Sequence, residues 1–113
     1  MLSQLQARTS LVLAVIKYEH RLSGSVEQFK AIAQLVDGSR LHLNEVCVDG
    51  QLRKYAYYWL TPSDEIIQGW DNAPHHSEVN TYPHHAHLTG DIHPSQIRSL
   101  SDLLDILEQK LVP

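Results

Sequence analysis

Four turn signals constrain this chain more than anything else in it: SGS at 23 to 25, DGS at 37 to 39, DG at 49 and 50, and TPSD at 61 to 64. They cut the first two thirds of the sequence into runs of strand length, the pattern of an antiparallel meander. Through RLHLNEV and the cysteine after it, Leu41, Leu43 and Cys47 fall on one face and His42 and Asn44 on the other. That is the period of two expected for a sheet covered on one side. Glu45 then lands on the apolar face. In QLRKYAYYWL the same alternation puts Arg53, Tyr55, Tyr57 and Trp59 on one side, against Leu52, Lys54, Ala56, Tyr58 and Leu60 on the other. LVLAVIKYE and VEQFKAIAQLV read as the first two strands, and EIIQGW pairs back as a further one.

Near the C-terminus the period changes. Ile97, Leu100, Leu103, Leu104, Leu107 and Leu111 recur at three- and four-residue steps, and Ser99 with Asp102 begins a capping pattern, so the segment predicts an amphipathic helix. Leu2 and Leu5 begin a shorter one. The expected fold is α+β: a single antiparallel meander of about five strands with N- and C-terminal helices packed on its apolar face. The 113 residues, 42% of them apolar, suit one domain spanning residues 1 to 113. No repeat or linker divides them.

Several function classes recede. The apolar run LVLAVI is too short to span a membrane and lacks a basic leader and a cleavage site. The lone Cys47 supplies neither a disulfide framework nor a thiolate zinc site and fits a reducing, cytoplasmic setting. A formal charge of −4 argues against nucleic-acid binding by overall attraction, while leaving room for a local basic patch.

The chemistry concentrates in WDNAPHHSEVNTYPHHAHLTGDIHP, residues 70 to 94, which holds six of the eight histidines; no lysine or arginine occurs between Tyr55 and Ile97. Pro83 disfavours helix at Tyr82 and makes YPHHAH an extended element. Extension projects His85 and His87 to one side and His84 and Ala86 to the other, a sound start for two metal ligands. Asp71, His75 and His76 are near enough in sequence to complete a site for a divalent ion such as zinc. The acidic neighbourhood of Asp64, Glu65, Asp71, Glu78 and Asp91 favours a cation. Imidazoles also titrate near neutrality, so the same residues suit acid–base catalysis. The plain alternative, solvated or packing histidines, is the default for His20, His42 and His93.

Tyr55, Tyr57, Tyr58 and Trp59 fit half-buried sheet positions. That is the commoner fate of such a row; the functional alternative is base stacking on one face, with Arg53 and Lys54 beside it to meet phosphate. Glu45 is either an edge residue reaching solvent or a carboxylate held beside the histidines as orienter or base.

Taken in order, DGSRLHLNE, KYAYYW, GWDNAPHH and YPHHAH resemble the TumE-like toxins of prokaryotic toxin–antitoxin pairs, over most of the chain and most specifically from Asp37 to His87. Carried over by position, the motif residues are Glu45, Tyr55, Tyr57, Asp71, Asn72, His75, His76, Pro83, His84, His85 and His87. Gly69 and Ala86 stand where family members commonly carry an arginine and a lysine. The resemblance implies a small α+β toxin of a type II pair and a helix-turn-helix antitoxin as partner. By analogy with other toxins of this size, it implies action on RNA as an endoribonuclease. The catalytic candidates are then His84, His85, His87, Glu45 and Tyr57. Substrate-binding candidates are Tyr55, Trp59, Arg53, Lys54 and Asn72, and the metal candidates are Asp71, His75, His76, His85 and His87. Without metal, a ribose 2′-hydroxyl would attack, with His85 or His87 as base and another histidine as acid. With metal, the ion would neutralise phosphate or activate water. A metal-binding or partner-docking module without catalysis is the rival reading, and self-association as a homodimer is left open.

Overall fold

The computed structural model describes residues 1–113. After helix α1 (Leu2–Ala7) the chain runs through seven strands: β1 (Val12–Ser23), β2 (Val26–Leu35), β3 (Arg40–Val48), β4 (Gln51–Leu60), β5 (Ile66–Asp71), β6 (His85–Leu88) and β7 (Asp91–Pro94). It closes with helix α2 (Leu100–Leu111). The strands form one antiparallel sheet in the order β1-β2-β3-β4-β5-β6-β7. This is the α+β meander the alternation predicts, with seven strands in place of about five.

The two additional strands come from the histidine segment. The structure pairs Asp71 with His85, Trp70 with Ala86 and Gly69 with His87, and β7 then adds to β6. The β6–β7 connection is the two-residue loop Thr89-Gly90, both at positive φ (50° and 84°), the same form as Asp49-Gly50 between β3 and β4 (52° and 77°). Two consecutive positive φ values match the right-handed twist of the flanking strands. Asp-Gly announces such a turn in sequence; Thr-Gly does so weakly. The segment from His85 onward is therefore sheet, not an extended element apart from the packed fold. The Tyr82–Pro83 peptide bond before it is cis.

Both helices cover the same face. Leu5 of α1 and Leu100, Leu103, Leu104 and Leu107 of α2 join Ala31, Ala33, Leu35, Leu41, Leu43, Tyr55, Tyr57, Trp70 and Ala86 in one buried cluster. Each fully buried leucine contributes about 1.5–3 kcal/mol relative to exposure. Ser99 caps α2 by accepting from the Asp102 amide, and Asp102 accepts from the Arg98 amide. These satisfy backbone donors that the first turn leaves free. Arg8, just beyond α1, reaches Asp105 at 2.6 Å and Glu108 at 2.8 Å and ties the two helices together. The other face of the sheet has no helix on it. No helix is long and apolar enough to cross a membrane.

Candidate functional site

The alternation along β5 and β6 sorts the histidine segment onto two faces. Trp70, His84 and Ala86 turn toward the helices. Asp71, His85 and His87 turn to the open face, where their ligand atoms all lie within 4.8 Å of one another. His85 Nε2 is 3.0 Å from Asp71 Oδ1, and His87 Nε2 is 3.0 Å from Asp71 Oδ2. The Ala73 amide also donates to Asp71 Oδ1 at 2.9 Å and fixes the carboxylate. His85 is 1% exposed and Asp71 8%.

The hydrogen-bond inventory of His85 carries a definite consequence. Its Nδ1 lies 3.0 Å from the Pro83 carbonyl oxygen, and a carbonyl only accepts, so Nδ1 bears a proton. In a neutral ring Nε2 would then be a bare lone pair aimed at a carboxylate oxygen, two acceptors face to face. The contact becomes favourable when a proton lies between the two atoms, on Nε2 or on the carboxyl, or when a cation does. A ring that donates one nitrogen to a backbone carbonyl and turns the other into a cluster of donors has the usual outer-sphere arrangement of a metal ligand.

His76 borders this group. It approaches His85 and His87 edge-on, with centroids 4.8 and 6.0 Å away, while its Nδ1 is 3.1 Å from Glu78 Oε1. His75 is exposed and stands outside the cluster. Of the five metal candidates, three converge, His76 stands beside them and His75 does not join.

His84 has a different role. Tyr55 Oη donates its one proton to the Ile97 carbonyl at 2.8 Å, so the 2.7 Å contact with His84 Nδ1 is a bond that His84 donates. Burial, and then the Arg98 charge, hold the His84 imidazole below its ordinary pKa. The ring fastens the residue before β6 to Tyr55 of β4, which in turn holds the Ile97 carbonyl ahead of α2, on the opposite side from His85 and His87.

Glu45 is buried instead of reaching solvent at an edge, and it meets no histidine. It accepts from Tyr57 Oη at 2.5 Å. Burial, reinforced by the Glu45 charge, raises the Tyr57 pKa, and burial pushes that of Tyr55 up to about 12. These two rings are 2% exposed or less and stack on each other at 4.9 Å, so neither presents a face to a base. Tyr55 and Tyr57 thus take the buried sheet role and not the stacking one, because amphipathic rings on alternate positions fill the space beneath α2. Trp59 is half-buried and donates to Ser39 Oγ. Asn72 extends the β4–β5 ladder with its side chain, accepting from the Tyr55 amide and donating to the Arg53 carbonyl, each at 3.0 Å. Arg53 and Lys54 are exposed on β4.

Tyr58 and Gly69, absent from the site candidates, adjoin the cluster on the open face. The Tyr58 ring lies so close over Gly69 that a Cβ there would come within 2.6 Å of Tyr58 Cε1. An arginine at position 69 would displace that ring, and a lysine at position 86, where Ala86 is 3% exposed, would bury its charge beneath the sheet. The signal for Tyr58 was present in the alternation, which separates it from Tyr55 and Tyr57.

A family model described as Toxin TumE matches residues 3–111 of the 113-residue chain. No curated protein and no solved structure matches. With nearly the whole chain matched, the protein belongs to the TumE toxin family, toxins of toxin–antitoxin systems whose members imply an antitoxin partner.

Proposed function

We propose that this protein is an endoribonuclease toxin whose reaction centre is Asp71, His85 and His87, and that these residues hold a divalent ion of the zinc type. The observation that carries the reading is the clamped His85, with Nδ1 on the Pro83 carbonyl and Nε2 turned to the Asp71 carboxylate. Two imidazoles and a carboxylate make a three-ligand set with a further position open for water or a phosphate oxygen, the composition of a catalytic zinc site. The ion would neutralise phosphate charge and activate water or the 2′-hydroxyl. Asp71 and His85 would hold it from the buried side. His87, one-third exposed, would complete the set toward solvent. The partner in this reading is a helix-turn-helix antitoxin.

A second reading has one observation in its favour. His87 is held to Asp71 through one ring nitrogen and is the exposed member of the group, as a general base oriented by a carboxylate would be. Metal-free cleavage through that dyad would leave 2′,3′-cyclic phosphate ends. Purified protein is therefore assayed for bound metal and for cleavage of single-stranded RNA before and after EDTA. About one equivalent of ion and activity lost to EDTA and restored by zinc support the metal centre. Persistent cleavage in EDTA with cyclic ends transfers the role to the His87–Asp71 dyad. Absence of cleavage under every metal condition, by protein that arrests growth in cells, removes the ribonuclease reading.

A further inference from the structure

The open face of the sheet carries two rows in cross-strand register. One runs Lys17, Ile32, His42, Tyr58, Gly69, His87, and the other Glu19, Lys30, Asn44, Ala56, Asp71, His85. The reaction centre is one end of these rows. Toward the other end lies a groove of about 290 Å³, bordered by Lys17, Lys30, Ile32, His42, Asn44 and Tyr58.

Three features of the groove point to a ligand. His42 Nε2 is buried and has no hydrogen-bond partner, and a buried polar atom left unpaired costs about 1–3 kcal/mol unless something else satisfies it. Lys30 is in no ion pair, while Lys17 is held only by Glu19 at 3.3 Å on an exposed surface. Tyr58 forms one wall of the groove, with part of its ring over Gly69. An anion for the lysines, a hydrogen-bonding edge for the imidazole and a flat group beside the phenol ring describe a nucleotide. Part of the chain's net charge of −4 lies away from the groove, with Asp102, Asp105 and Glu108 on or about α2, and the one carboxylate beside the lysines is Glu19, which faces both. Neighbouring strands lie about 4.8 Å apart, so His42 and His87, three strands apart, are separated by about 14 Å. A single strand laid across the sheet covers that distance within a few nucleotides.

We propose that this groove is a nucleotide subsite for the single-stranded RNA cut at the Asp71 cluster: Lys17 and Lys30 meet its phosphate, His42 Nε2 pairs with a base or sugar edge, and Tyr58 packs against the base. The occupant rests on the ribonuclease reading, but binding is measurable without cleavage. The test is fluorescence anisotropy with a short 2′-O-methyl RNA, comparing the wild type with a Lys17→Ala, Lys30→Ala double variant and with His42→Phe. All three open-face changes leave the core cluster untouched, and thermal melting checks that they do. The double variant is expected to weaken binding at least about tenfold at low salt and to flatten the slope of log affinity against log salt by about 0.7, one neutralised phosphate on a single strand. His42→Phe is expected to weaken binding with the salt slope unchanged. Binding that ignores both variants overturns the groove assignment, and so does a wild type that binds no RNA. If these same residues are instead needed for antitoxin binding, the groove is a protein dock and the proposal fails. RNA held by the groove but never cut would preserve the subsite and sink the ribonuclease reading, so the two failures are distinguishable.

Discussion

Tyr57 and Tyr58 are neighbours on β4 and have opposite fates. Tyr57 points under α2, fully buried, its hydroxyl spent on the buried Glu45. Tyr58 points to the open face, over Gly69 and beside an imidazole nitrogen with no partner. The same contrast repeats at Leu43 and His42, and at Ala86 and His87. On the covered face polar atoms are paired internally and hold the fold. On the open face they converge with their bonding capacity incomplete, which is where ligand chemistry is to be sought. The comparison teaches that a strand's polar residues are read by face before they are read by type.

The largest expected effect that would sharpen this contrast comes from His87→Ala. Loss of a general base or of one metal ligand should slow RNA cleavage by about a hundredfold to ten-thousandfold, with the melting temperature near that of the wild type because His87 lies outside the core cluster. A fall in melting temperature as steep as that of a core variant would break the contrast. Leu104→Ala is the opposite case: a wholly buried α2 side chain whose truncation should cost about 2–5 kcal/mol by denaturant unfolding. Specific activity of the remaining folded fraction should be unchanged.

Smaller effects separate the two tyrosines. Tyr57→Phe strips Glu45 of its hydroxyl donor and should destabilise by about 1–3 kcal/mol, whereas Tyr58→Phe should shift stability by less than about 0.5 kcal/mol. Equal losses would mean that the two faces are not distinct in this way. The smallest effect is on pH dependence. Burial holds His84 below its ordinary pKa of about 6.5, so the unfolded chain binds this proton more readily than the folded one. Its contribution to stability is complete above about pH 6.5 and is lost as pH falls toward the lower folded value. A His84→Gln variant should show a flatter stability profile across that window, in melts from pH 8 to 5.

The hairpins of β1 to β5 are legible because Gly- and Asp-containing turns bracket runs of clean alternation, and α2 because six apolar residues keep helical spacing. β6 and β7 are hidden for a physical reason. They are four residues each, the open-face positions of β6 are histidines with no strand preference of their own, β7 ends in a proline, and Thr-Gly is a weak turn signal. The convergence of His85 and His87 is legible from period two, and Asp71 as third member from proximity. The aromatic row fills the sheet as its composition suggests, and stacking stays open for Tyr55 and Tyr57 in the sequence because alternation divides β4 into two faces without saying which one the helices cover. Tyr55 and Tyr57 were the richer row because they are core. Glu45 misled, since a carboxylate on an apolar face suggests an edge until its Tyr57 partner is seen.

The most direct test of the central claim, that the open-face carboxylate organises the chemistry, is the rate of single-stranded RNA cleavage by Asp71→Asn measured beside the wild type at matched folded concentration. The amide keeps the size of the side chain and can still accept from the Ala73 amide, while removing the charge that faces both imidazoles. The account predicts a loss of at least about a hundredfold, equivalent to about 2.7 kcal/mol of transition-state stabilisation, with a thermal melt close to that of the wild type. Cleavage by Asp71→Asn at the wild-type rate would contradict it.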